Sequence, residues 1–128
     1  MLSQNLVMIT KSEFNILAKN LDLSSQDSWS KDYWIKHKDR YFNNILLIDK
    51  YCSGTKILEI GSYPFHQTLL LKKMNYNITG FDLNPERQMQ FITDNKLNII
   101  KNNIENVNYS NLRYVTPMEI KCIFPLVN

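Results

Sequence analysis

The residues of this chain best suited to chemistry are a turn and an acid. Lys56-Ile57-Leu58-Glu59-Ile60-Gly61 is an apolar, β-branched run that stops at glycine. Asn77-Ile78-Thr79-Gly80-Phe81-Asp82 is a second short run, and it stops at an acid. A buried strand ending in glycine predicts a tight strand-to-helix turn. An acid at the end of the next strand, about 20 residues past that turn, is placed to bind the hydroxyls of a ribose. A carboxylate can accept both hydrogen bonds of a vicinal diol, a geometry that suits few other side chains as well.

The turn itself narrows the choice of ligand. It reads Gly61-Ser62-Tyr63-Pro64-Phe65-His66, with one glycine only. A pyrophosphate needs several glycines so that backbone N–H groups can approach it. Pro64 removes one donor outright, and Tyr63 and Phe65 add bulk where a pyrophosphate would sit. NAD and FAD are disfavoured on these grounds. ATP is disfavoured because no Gly-Lys-Ser/Thr follows the turn. S-adenosyl-L-methionine (SAM) carries a ribose and an adenine but no phosphate, so a turn poor in glycine can still serve it.

Positioning these residues takes an alternation of strands and helices. Thr10 and Glu13 fit a capping box ahead of a short amphipathic helix. Asp22 to Ser30 is polar and serine-rich and reads as a loop. A long helix is expected from about Lys31 to Tyr51, with Trp34, Tyr41, Ile45 and Ile48 on its apolar stripe and Phe42 and Leu46 beside it. Phe65 to Met74 suits a helix closed by Asn75 in the left-handed conformation. Asn84-Pro85 signals the start of another, with Met89 and Ile92 as its inward edge. Leu97 to Lys101 supplies a third strand. The order strand, helix, strand, helix, strand predicts a parallel sheet. Ile57–Ile60 is expected to lie between Ile78–Phe81 and Leu97–Ile100. The chain divides into an N-terminal helical segment (1–55), a ligand-binding half (56–105) and an irregular tail or start of a fourth strand (106–128).

At this level the sequence resembles the class I SAM-dependent methyltransferases, over roughly Lys31 to Asn106. Ile57-Leu58-Glu59-Ile60-Gly61 is similar to their first motif, and Ile78-Thr79-Gly80-Phe81-Asp82-Leu83-Asn84-Pro85 to their second. Asn102-Asn103-Ile104-Glu105 resembles the third. The resemblance implies an α/β, Rossmann-like three-layer parallel sheet with N-terminal helices. It implies SAM as cofactor and methyl transfer to an acceptor, here expected to be a small molecule. Glu59 and Gly61, with the backbone of Ser62 and Tyr63, would line the methionine end. Asp82 would hold the ribose hydroxyls and Leu83 would pack on the adenine. Asn103, where the family usually has Asp, would accept from the adenine amino group, and Ile104 would cover the ring. The later glycines of the first motif are replaced by Tyr63 and Phe65. The chain stops about where the family's fourth strand begins, so the expected sheet is truncated after about three to four strands. A truncated, frameshifted or split product would give that result, and a partner chain or dimer could complete the sheet. In isolation such a chain is not expected to turn over.

Other features bound the reading. Apolar residues at 44% and charged residues at 21% describe an ordinary globular chain able to form a core. The net charge of +3 is scattered, with Lys72-Lys73 the only basic pair, which gives no argument for nucleic acid or a membrane surface as a partner. No apolar run approaches membrane-spanning length and the first residues do not resemble a signal peptide, so a cytoplasmic location with reduced thiols at Cys52 and Cys122 is expected. No Cys/His cluster suggests a metal. His66 has no visible partner that would make it a general base, so no catalytic residue is assigned. His37 reads as a solvated helix residue, and Trp29, Trp34 and Tyr41 as core or lid aromatics. The competing reading is a non-catalytic remnant or interaction module built on half of the fold. An NAD-dependent oxidoreductase ranks below both.

Overall fold

A computed structural model of the chain describes residues 8–52 and 56–101, together with the backbone of Cys122–Pro125. It opens with α1 (Lys11–Lys19) and α2 (Ser28–Tyr51). The capping box of α1 is in place: Glu13 N donates to Thr10 Oγ1 at 3.1 Å and Thr10 N to Glu13 Oε1 at 2.9 Å. Helix α2 starts earlier than the serine-rich stretch suggested, because Asp27 caps it. The Asp27 carboxylate accepts from Ser30 N at 2.8 Å, satisfying one of the donors a helix start leaves unpaired. Next come β1 (Lys56–Ile60), α3 (His66–Lys73) and β2 (Asn77–Asp82). Asn75, just past α3, is left-handed as expected, with φ +70°. Asn84-Pro85 does start a helical stretch, but its first four residues, Pro85–Gln88, form a 3₁₀ turn, and Asn84 makes no side-chain cap. Helix α4 (Met89–Asp94) then turns Phe91 and Ile92 inward. Met89, expected inward, is 54% exposed. Last are β3 (Ile99–Lys101) and β4 (Cys122–Pro125).

The described strands form one parallel sheet in the order β3-β2-β1-β4. The parallel pairing was expected; the order was not. Strand β2, not β1, sits between its neighbours in sequence, and β1 lies beside β4, with Ile57 opposite Cys122. The tail beyond residue 105 therefore contributes a strand through Cys122–Pro125. Asn103, Ile104, Val115 and Ile120 lie outside the described residues.

Two clusters hold helices to the sheet face that carries Ile57, Ile78 and Ile99. In the first, Phe14 and Ala18 of α1 and the α2 stripe Trp34, Tyr41, Ile45 and Ile48 pack on Ile57, Ile78, Leu70 and Leu71. In the second, Phe65 and Leu69 meet Phe91, Ile92 and Leu97, with Ile99 against them. Truncating one such fully buried side chain costs about 2–5 kcal/mol in a packed core. No described helix is long and apolar enough to cross a membrane. The expectation of reduced thiols is corrected at Cys52, which is disulfide-bonded.

Candidate functional site

The carboxyl ends of β1 and β2 come together as one structure. Gly61, with φ +70°, takes a conformation that side-chain-bearing residues rarely adopt, and the chain turns there. Gly61 N and Ser62 N both donate to Phe81 O, at 2.9 and 3.1 Å, so the turn after β1 folds back onto the end of β2. Ser62 is buried over Gly80. A Cβ at Gly80 would stand 2.7 Å from Ser62 Oγ and 2.8 Å from Ile99 Cδ1, so only glycine lets the turn lie this close. Gly80 was read in the sequence only as part of a motif. Its packing role depends on a contact with Ser62, which no local pattern announces.

Asp82 spans the gap between the two strand ends. Its Oδ1 accepts from Tyr63 N at 3.3 Å and its Oδ2 from Asn84 N at 3.0 Å. The carboxylate is partly exposed. Two ionised oxygens offer about four lone-pair positions, so these two bonds leave acceptor capacity for a diol. Leu83, next to it, is 59% exposed. The structure thus brings Gly61, Ser62, Tyr63, Asp82 and Leu83 to one edge of the sheet.

The turn has few donors left over. Gly61 N and Ser62 N go to Phe81 O, Tyr63 N to Asp82, and Phe65 N to Ser62 O at 2.7 Å, while Pro64 has none. A phosphate would have to break these bonds to be held here. The backbone N–H groups of Ser62 and Tyr63, whose backbone is expected to line the methionine end, are thus engaged within the protein. Carbonyl oxygens, each with two lone pairs, remain as the turn's means of holding an ammonium group.

Glu59 occupies a different position from the one its motif suggested. It is fully buried, and its carboxyl accepts from Gln67 Nε2 at 3.1 Å and from Thr68 Oγ1. Gln67 in turn accepts from Asn44 Nδ2 at 2.8 Å, so one polar chain joins α2, α3 and β1. Burial raises the Glu59 pKa to about 8, against the two side-chain hydrogen bonds that favour the charged form; the charge of Asp82 pushes it further up.

His66 is part of a second buried network. Its Nε2 meets Gln26 Oε1 at 2.7 Å and its Nδ1 meets Tyr41 Oη at 3.3 Å. Gln26 Nε2 donates to Pro64 O at 2.9 Å, so the Gln26 oxygen is the acceptor toward His66. His66 Nε2 therefore carries the proton, and Nδ1 accepts from the Tyr41 hydroxyl. Desolvation lowers the His66 pKa to about 3 and raises that of Tyr41. A neutral imidazole with both nitrogens engaged is a structural tie between α3 and the N-terminal segment, not a general base. His37 packs its ring on Tyr33 at 4.2 Å.

The start of α2 reaches the same edge. Trp29 packs on Tyr63 with ring centroids 5.9 Å apart, and Gln88 Nε2 donates to Ser30 Oγ at 2.8 Å and to Tyr63 Oη at 3.4 Å. No grouping of His, Cys, Asp and Glu among the described residues could hold a metal ion. No family model, no curated protein and no solved structure matches the chain.

Proposed function

We propose that this chain is a SAM-dependent methyltransferase or the SAM-binding part of one, with a Rossmann-like sheet and a small-molecule acceptor. The observation that carries the reading is the placement of Asp82. It stands at the end of β2, hydrogen-bonded across to a turn after β1 in which the N–H groups of Gly61, Ser62, Tyr63 and Phe65 are already engaged. An acid with spare acceptor positions suits a ribose, and a turn whose N–H groups from Gly61 to Phe65 are engaged or absent suits a phosphate less well. The strand order supports the reading as well. The chain runs outward from β1 to β2 to β3 and then returns to the other side of β1. In open parallel sheets ligands lie at such a reversal, beyond the carboxyl ends of the strands.

In this reading Asp82 holds the two ribose hydroxyls and fixes the ligand's position along the sheet edge. Leu83 offers an apolar surface to the adenine, with Asn103 and Ile104 expected to complete it. Gly61, Ser62 and Tyr63 form the wall toward the methionine end. Glu59 acts from below, as a positioning residue that ties β1 to α3. SAM, when bound, supplies a methyl group on a sulfonium, and transfer is a displacement in line with the sulfur. The protein's task in such a step is to align donor and acceptor and exclude water.

The alternative, a non-catalytic module, is favoured by one observation: Asp82 already serves as a brace between Tyr63 N and Asn84 N. A ligand panel separates the two readings. By equilibrium dialysis, SAM and S-adenosylhomocysteine bind the purified chain while NAD and ATP do not. Tighter binding of NAD than of SAM contradicts the methyltransferase reading, and no binding of any of the four favours the non-catalytic module.

A further inference from the structure

Resting on the SAM reading above, we propose that the first turn of α2 is a third wall of the site and that Trp29 faces the sulfonium, so that the chain distinguishes the charged donor from its neutral product. The first turn of α2 is fixed to both strand-end segments that flank Asp82. Ser30 Oγ accepts from Gln88, which follows β2, and Trp29 packs on Tyr63, which follows β1. Gln88 also reaches the Tyr63 hydroxyl, so the three segments form one clamp. Trp29 is 53% exposed, although Tyr33, at 5.1 Å, and Tyr63 both pack on its ring. A large aromatic held from two sides and still half open presents part of its ring to solvent in a fixed place.

Its place along the edge decides which part of the ligand it meets. With the ribose on Asp82 and the adenine toward Leu83, the Tyr63 side is the side of the methionyl chain and its sulfonium. An aromatic face attracts a cation through its quadrupole, and a sulfonium is a weakly hydrated cation of the kind such faces hold. S-adenosylhomocysteine has the same nucleoside and amino acid but no charge on sulfur, so it gains nothing from this contact.

Calorimetry of SAM and S-adenosylhomocysteine with wild type, Trp29→Ala, Trp29→Phe and Asp82→Ala tests this. Trp29→Ala is expected to weaken SAM about threefold to tenfold and S-adenosylhomocysteine less than about twofold. Trp29→Phe, which keeps a π-face, recovers most of the SAM affinity. In a Trp34→Phe chain, where Trp29 is the sole indole, SAM shifts the fluorescence more than S-adenosylhomocysteine does. Equal losses for the two ligands in Trp29→Ala, or none for either, overturn the sulfonium contact; if Asp82→Ala still loses binding, the SAM reading stands without it. No SAM binding to the wild-type chain overturns both.

Discussion

Two buried ionisable residues, Glu59 and His66, give the fold a pH profile of its own. A carboxyl whose pKa rises from an ordinary 4.5 to about 8 on folding is kept protonated by the native state. It adds stability that is fully present below about pH 4.5 and is lost as the pH rises through about 8. An imidazole whose pKa falls from 6.5 to about 3 is kept neutral, so its contribution is present above 6.5 and is lost as the pH falls through about 3. Between 4.5 and 6.5 the two slopes oppose one another. Urea unfolding across the pH range is therefore expected to show a plateau there, with stability declining on both sides by up to about 1.4 kcal/mol per pH unit. Glu59→Gln removes the decline above 6.5 and leaves the acid limb alone. A profile that rises steadily from pH 5 to 8 would contradict the burial of Glu59. Neither residue's role was legible in the sequence. The partners of His66, Gln26 and Tyr41, are 40 and 25 residues away, and no spacing rule joins them.

At the scale of elements, the start of α2 matters most, because it carries Trp29 and Ser30 to the site. Asp27→Ala removes the acceptor of Ser30 N and is expected to cost about 1 kcal/mol, seen as a lower urea midpoint with an unchanged slope. It is also expected to loosen the Ser30–Gln88 contact and so raise the fluorescence yield change of Trp29 on local unfolding. An unchanged midpoint would show that tertiary packing alone fixes this helix start. Much at this scale could be read from the chain. Short apolar runs ending at Gly61 and Asp82 marked β1 and β2, the stripe from Trp34 to Ile48 marked the buried side of α2, and Asn75 marked a helix end. The start of α2 was missed because Ser24, Ser25 and Ser28 look like loop residues, whereas Asp27 among them caps the helix. The 3₁₀ turn at Pro85–Gln88 was missed because a proline start fits either helix type. Gln88 is drawn inward to Ser30, and that pull acts only once the fold has formed.

For the whole molecule, the parallel sheet followed from alternation, but strand order did not. Linear order says which strands are consecutive; it does not say on which side of β1 the fourth strand lies. The backbone pairing of β4 with β1 places the reversal beside the Gly61 turn, so the candidate site sits where open parallel sheets bind ligands. The central claim is that Asp82, at this edge, is the ribose contact for SAM. Titration calorimetry of SAM into wild type, Asp82→Asn and Asp82→Ala tests it most directly. Hydrogen bonds to a charged group contribute about 1.5–3 kcal/mol each, so Asp82→Ala is expected to weaken SAM by about ten- to a hundredfold. Asp82→Asn, which keeps one oxygen to accept from Tyr63 N but turns an amide NH2 toward Asn84 N, is expected to fall between the two. Equal SAM affinity in all three proteins, with the fold intact by circular dichroism, would contradict the account.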